Sequence, residues 1–404
     1  MSSRRFAHGP AAGLLALVLV LAATLAAGCG RQSGSASAVD FYRAPSTLPS
    51  SPGELLRSDA FTRDIPTGAS ARRILYTSTA ADGSIVAASA LVVAPRGGGG
   101  AHPVVLWTHG TTGVAQSCAP SLAREPFSGG VGDLISHAIE RGWIVVAPDY
   151  QGMGVAGPSS YLLGRPEARS ALDAVRAARL LPGLALDTHT VVWGHSQGGG
   201  AALWVGIEAP RYAPQVTLSG IAAVAPASDL LALAGQASGP FGALLSAYVL
   251  DSYSRAYPDV SLTSYLRPSA HAAYDAFIAR CTSESAALLQ IAAALAGQST
   301  FSRPPATGML RTRLEQNSPS TPSGVPTLIA QGRADQLIDP AVQRRFAAQL
   351  CRRGAAIEYR SYAGRDHLGV IAPDSPLIAH LLRWTEQRFA GAPAHSNCAA
   401  LLHG

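Results

Sequence analysis

Short runs of β-branched and aliphatic residues alternate along most of this chain with longer segments whose apolar positions recur at helical spacing. Residues 73–78 and 85–93 read as two strands, with Asp82-Gly83 between them as a hairpin signal. Residues 103–108 and 143–147 are apolar almost throughout, as strands buried on both faces are. A helix is expected from about Pro166 to Leu181, with alanines and leucines on one face and Arg169, Asp173 and Arg176 on the other. The strand at Val191-Val192-Trp193 then leads into a small-residue helix, residues 201–208, and residues 218–225 form another strand. Here the alternation breaks. Residues 230–324 are Ala/Leu-rich and helical in pattern, with breaks at Pro258, Pro268 and Pro304-Pro305. The alternation resumes with a strand at 325–332, a helix at 342–352, a strand at 356–362 and a helix at 376–389. This order predicts an α/β fold in which helices flank a mostly parallel sheet. Its core would comprise residues 54–229 and 325–404, with 230–324 inserted as a helical cap.

The first 29 residues read differently. Arg4 and Arg5 precede a 17-residue apolar stretch, 11–27, and small residues lead up to Cys29, the pattern of a secretory signal peptide. That length is marginal for spanning a bilayer. Leu25-Ala26-Ala27-Gly28-Cys29 also resembles a bacterial lipobox, with its leucine one place too early, so plain secretion and membrane anchoring through a lipidated Cys29 both stand. Residues 30–53 are Ser-, Ala- and Pro-rich, as in a flexible linker. Four cysteines remain: Cys118, Cys281, Cys351 and Cys398. An even number in an exported chain suggests two bridges among three connectivities, of which Cys118–Cys281 with Cys351–Cys398 is favoured. The second of these would staple the C-terminal tail.

Composition narrows the function classes. With 48% apolar and 14% charged residues the chain can bury a large core. All 31 basic residues are arginine, and the net charge of +6 is dispersed, which argues against a nucleic-acid partner. No C-x-x-C spacing suggests a zinc site, and the glycine-rich loops lack the lysine of a phosphate-binding loop, so no cofactor is expected.

The chemistry centres on Gly194-His195-Ser196-Gln197-Gly198, a G-x-S-x-G turn between a strand and a helix. Such a turn lifts a serine hydroxyl off the sheet, and the following helix N-terminus offers backbone N–H groups to a developing oxyanion. A serine hydroxyl is a weak nucleophile, so it needs a histidine base oriented by a carboxylate. Asp335 follows the strand ending at Gly332 and is the candidate acid, whereas Asp339, just before Pro340, reads as a helix N-cap. Among the histidines after Asp335, His367 lies in a loop flanked by Gly364 and Gly369, while His380 falls in a helix and His395 and His403 in the tail. Oxyanion donors are expected from the N–H of Gln197 and from His109-Gly110-Thr111-Thr112-Gly113, where Thr111 is the first choice and Thr112 the second. His109 and His195 look structural, and Asp149 reads as a loop-stabilising carboxylate.

With these pieces in place the sequence resembles the secretory lipase family of the α/β-hydrolase superfamily. The likeness runs from about Asp64 to Cys398. It is carried by the two motifs quoted above together with Asp149-Tyr150-Gln151-Gly152-Met153-Gly154, Gly332-Arg333-Ala334-Asp335 and Gly364-Arg365-Asp366-His367. It implies a cap between the sixth and seventh strands, one disulfide tying core to cap and one near the C-terminus. It also implies hydrolysis of carboxylic esters without a metal, on a small-molecule ester or lipid substrate. Fungal members often carry an acidic or tyrosine-rich motif where this chain has His109-Gly110-Thr111, so substrate preference is not carried over. Two alternatives to an esterase or lipase remain: a serine peptidase on the same fold, and a non-catalytic surface binding protein. The few carboxylates in the cap (among them Asp251, Asp259, Asp275 and Glu284) weigh against an amine-binding peptidase.

Overall fold

A computed structural model describes residues 38–97, 99–128, 131–236, 239–284, 286–287 and 301–403. The expected signal peptide, Cys29 and the first part of the linker lie outside the described residues, as does part of the expected cap. The chain divides into Met1–Phe41, whose described part is one helical turn (Ala38–Phe41), and Tyr42–Gly404.

The second unit is built on a nine-stranded sheet ordered β1-β2-β3-β5-β4-β6-β7-β8-β9. Its strands are β1 (Leu55–Phe61), β2 (Ala69–Thr79), β3 (Ile85–Pro95), β4 (His102–Thr108), β5 (Ile144–Pro148), β6 (Leu186–His195), β7 (Thr217–Val224), β8 (Thr327–Gly332) and β9 (Ile357–Tyr362). The first three form an antiparallel meander, β3 pairs antiparallel with β5, and all remaining pairs are parallel. Side chains alternate across the sheet, as the strand period of two requires. Val104 and Leu106 face helices Gly164–Ala178, Gln197–Tyr212 and Pro340–Arg352, while Val105 and Trp107 face helices Val131–Glu140 and Pro376–Phe389. Helices on both faces bury all of β5 and residues 104–108 of β4, which is why these stretches read as apolar runs.

The structure corrects the sequence reading in four places. Strand β1 was not expected, because Arg57, Ser58 and Asp59 interrupt its apolar pattern. Those polar residues suit an edge strand. It shifts the strand count by one, so the insertion falls between β7 and β8. Helix Val131–Glu140 and the C-terminal helix Cys398–His403 were also missed. Finally, Asp173 is fully buried rather than on a solvent face, where it receives hydrogen bonds from Tyr212 at 2.7 Å and Arg176 at 3.0 Å.

Between β7 and β8 the chain forms helices Leu230–Gln236, Gly239–Ala256, Leu262–Tyr265, His271–Ile278 and Gly308–Asn317. Tyr248, Tyr253, Phe277 and Leu310 from this insertion pack with Val114, Tyr161, Leu162 and Leu163 of core loops. Two disulfides form, Cys118–Cys281 between core and insertion and Cys351–Cys398 between helix Pro340–Arg352 and the C-terminal helix. The second closes a 47-residue separation, worth about 4 kcal/mol by loop entropy.

Candidate active site

Ser196 occupies the turn between β6 and helix Gln197–Tyr212 with φ +59° and ψ −121°. A side-chain-bearing residue in this region is strained by about 1–3 kcal/mol, so surrounding structure must hold it. Its N–H donates to Val224 O at 2.9 Å, and its carbonyl accepts from Ala227 N at 3.0 Å and Gly200 N at 3.1 Å. Both flanking glycines are required sterically. A Cβ on Gly194 would overlap the Gly198 carbonyl, and one on Gly198 would overlap the Thr108 carbonyl.

Parallel strands β8 and β9 bring the other two candidates to the same sheet edge. Their loops are tied together by Arg333 N–H to Tyr362 O and Ala334 N–H to Arg365 O, both 2.9 Å. His367 Nε2 lies 2.9 Å from Ser196 Oγ, and its Nδ1 lies 2.9 Å from Asp335 Oδ2. Asp335 is buried and every acceptor direction is used: Oδ1 receives Leu337 N–H (2.9 Å) and Ile338 N–H (2.8 Å), and Oδ2 receives Gln331 Nε2 (2.9 Å). Burial works against its charge, but the His367 contact and the two N–H donors outweigh it and hold the carboxyl below its ordinary range. An ionised Asp335 requires the His367 proton on Nδ1, which leaves Nε2 free to accept from the serine. Asp339 instead caps helix Pro340–Arg352, accepting Ala341 N–H at 2.7 Å. His380 faces Glu358, 3.1 Å away.

Two further histidines are buried and neutral. Burial, with the nearby His367, pushes His195 down to about 3, and its Nε2 lies 2.8 Å from His367 O. With a carbonyl as partner, that nitrogen carries the proton and fixes the His367 backbone. Burial likewise pushes His109 down to about 4, with Nδ1 2.6 Å from Gly110 O. Asp149 is raised to about 6 by burial and accepts from Ser89 Oγ at 2.6 Å and Ser121 N–H at 2.8 Å.

The loop after β4 lies against the serine turn: a Cβ on Gly110 would sit 3.3 Å from His195 O and 3.6 Å from Ser196 Cβ. Thr111 Oγ1 lies 3.1 Å from Tyr161 Oη, Thr111 O accepts from Thr282 Oγ1 at 3.2 Å, and Thr112 O accepts from Thr282 N–H at 2.9 Å. Gln197 is buried at the first position of its helix, where the backbone N–H has no intrahelical acceptor. Its side-chain Nε2 donates to Glu167 at 2.6 Å. Sequence reasoning missed Gln331, Tyr161, Glu167 and Thr282, and no local motif marks them. Among the described residues no group of three or more His, Cys, Asp or Glu is placed to hold a metal.

Chemically, a serine hydroxyl against a neutral imidazole against a buried carboxylate can form a nucleophile and shuttle its proton. A family model described as secretory lipase matches residues 132–397. A protein named a probable inactive lipase from Mycobacterium tuberculosis is 28% identical over 85% of this chain and 79% of its own length. Lipase 4 of Candida albicans is 24% identical over 66% of this chain and 59% of its own length, so this chain spans less than two thirds of that relative. In fold, the chain is similar to Candida antarctica lipase A in its closed state (TM-score 0.73, 19% identity, covering 90% of this chain and 92% of that one). It is also similar to a rice cell wall degrading esterase from Xanthomonas oryzae (TM-score 0.65, 19% identity, covering 87% and 97%).

Proposed function

The chain belongs to the secretory lipase family, and from that premise we propose that it is an exported serine hydrolase that cleaves carboxylic esters through an acyl-enzyme. The observation that carries this reading is the unbroken hydrogen-bonded series from Ser196 through His367 to Asp335, with 2.9 Å at each link. In the proposed reaction Ser196 Oγ attacks the ester carbonyl carbon while His367 Nε2 takes its proton. Asp335 stabilises the resulting imidazolium, and the N–H groups of Gln197 and Thr111 receive the oxyanion. His367 then protonates the departing alcohol. A water, activated by the same imidazole, releases the acid and restores the serine.

Charge pairing in the insertion supports an ester over an amine-bearing substrate. Asp251 pairs with Arg255 at 2.9 Å, Asp259 with Arg313 at 2.7 Å and Glu284 with Arg280 at 2.7 Å, so these carboxylates are already neutralised. The Mycobacterium relative's name, a probable inactive lipase, favours a second reading, a protein without catalysis, for which surface binding is the alternative role. Fluorophosphonate labelling separates the two. The purified protein is expected to be labelled, and Ser196→Ala to lose the label entirely; labelling that survives the substitution removes Ser196 as nucleophile, and none in the wild type favours binding alone. Export rests on residues 1–29 and on the family's name, with Cys29 lipidation as the alternative to free secretion; mass analysis of the mature N-terminus distinguishes them.

A further inference from the structure

Glu167 takes no part in the chemistry proposed above, yet its carboxyl lies beneath the serine turn. It sits in the first turn of helix Gly164–Ala178 and is 1% exposed. Its Oε1 accepts from Gln197 Nε2 at 2.6 Å and from Leu162 N–H at 2.9 Å. Leu162 is held at φ +55°, a conformation unfavourable for its side chain. The preceding residue, Tyr161, places its hydroxyl 3.1 Å from Thr111 Oγ1. From the insertion, Tyr253 donates to Leu162 O at 2.8 Å and Ser252 to Ser159 O at 2.9 Å. One short segment, 159–167, therefore touches both candidate oxyanion residues and the insertion.

The surroundings of this carboxyl are uncharged. The ionisable groups facing it are the phenols of Tyr150, Tyr161 and Tyr253, themselves pushed up by burial, and among the described residues no cation pairs with it. Burial pushes Glu167 up to about 8, against the opposing hydrogen bonds from Gln197 and Leu162. Beside it, Gln197 Oε1 is buried with no hydrogen-bond partner among the described residues. A carboxylic acid supplies the missing donor, since an acid and a primary amide can pair through two antiparallel hydrogen bonds.

We propose that Glu167, as the protonated acid, is a positioning residue that pairs doubly with the Gln197 side chain and, with Tyr161, seats the Gln197 and Thr111 ends of the oxyanion site on one buried ledge. This rests on the ester-hydrolase reading above. Loss of the proton removes one bond of the pair and sets an uncompensated negative charge near the developing oxyanion, so turnover falls as Glu167 ionises.

The test is the pH dependence of kcat and KM for p-nitrophenyl butyrate, from pH 6 to 10, on the full chain and on Glu167→Gln and Glu167→Ala, with circular dichroism to check folding. Wild-type kcat is expected to fall roughly tenfold on the alkaline side, around the pH at which Glu167 ionises. Glutamine keeps both hydrogen bonds at every pH, so Glu167→Gln should stay within about threefold of wild type at pH 7 and lose the alkaline fall. Glu167→Ala should lower kcat about tenfold with KM unchanged, because only the transition-state contact is disturbed. The same alkaline fall in Glu167→Gln overturns the proposal, as does a folded Glu167→Ala with wild-type kcat. If Glu167→Ala does not fold, the Glu167→Gln profile decides alone. A wild type that neither hydrolyses esters nor takes a fluorophosphonate overturns the ester-hydrolase reading and this role with it, whereas an active wild type with indifferent variants overturns this role only.

Discussion

The two halves of the site are held in different ways. The Asp335–His367 half stands on loops of adjacent parallel strands, and its carboxylate is fully satisfied by Leu337, Ile338, Gln331 and His367. The half formed by Gln197 and Thr111 gathers pieces from the serine turn, the loop after β4, the 159–167 segment and the insertion. Among the described residues it leaves Thr112 Oγ1 buried without a hydrogen-bond partner, and Gln197 Oε1 with none but the acid proposed at Glu167. The first half is complete within the sheet domain. The second depends on contacts between distant segments, including Thr282 of the insertion, next to the Cys118–Cys281 bridge. In the proposed reaction, proton transfer would thus rest on the core, while oxyanion binding would be coupled to the packing of the insertion.

Substitutions in the two halves should therefore differ in size and kind. Asp335→Asn is expected to have the largest effect. An amide that donates to His367 Nδ1 forces the proton onto Nε2, where it blocks acceptance from Ser196, and a fall in kcat of about 10⁴ is expected. An equal loss in Asp339→Asn would contradict the assignment of the acid. Thr282→Val removes the hydroxyl donor to Thr111 O but keeps the N–H bond to Thr112 O. A roughly tenfold loss of kcat, with Tm nearly unchanged, is expected from a displaced oxyanion loop. If Tm falls and kcat does not, the contact is structural only.

The smallest effect concerns stability. The folded chain keeps a proton on Glu167 that the unfolded chain has released, since its carboxyl stands at about 8 when folded against 4.5 ordinarily. Rising pH therefore destabilises the fold across that window, by up to about 1.4 kcal/mol per unit from this group. The upper end isolates it, because Asp149 and Asp173, raised to about 6, have already ionised. His109 and His195 act oppositely, but their unfolded value of 6.5 confines them to lower pH. Urea midpoints between pH 7 and 8 should decline in wild type and stay level in Glu167→Gln; equal slopes would contradict a buried neutral acid.

The same division governs what could be read from the sequence. The serine turn is legible because two glycines at fixed offsets are a local steric demand, and Asp335 and His367 stand out because each follows an apolar strand in a glycine-flanked loop. Helix Val131–Glu140 was missed although Val131, Leu134, Ile135, Ala138 and Ile139 recur at helical spacing, because the surrounding glycines mask it. Glu167 and Asp173 were not legible. Both lie on a helix whose pattern assigns carboxylates to solvent, and residues distant in sequence, among them Tyr212 and Gln197 of the following helix, pack against them. Thr282 lies 171 residues from the loop it supports, so no spacing could have marked it.

The most direct measurement is hydrolysis of p-nitrophenyl esters from acetate to palmitate by the wild type and by Ser196→Ala. Turnover is expected on at least one chain length and is expected to be abolished by the substitution, with the optimum separating esterase from lipase. Equal turnover in both proteins, or none on any ester, would contradict it.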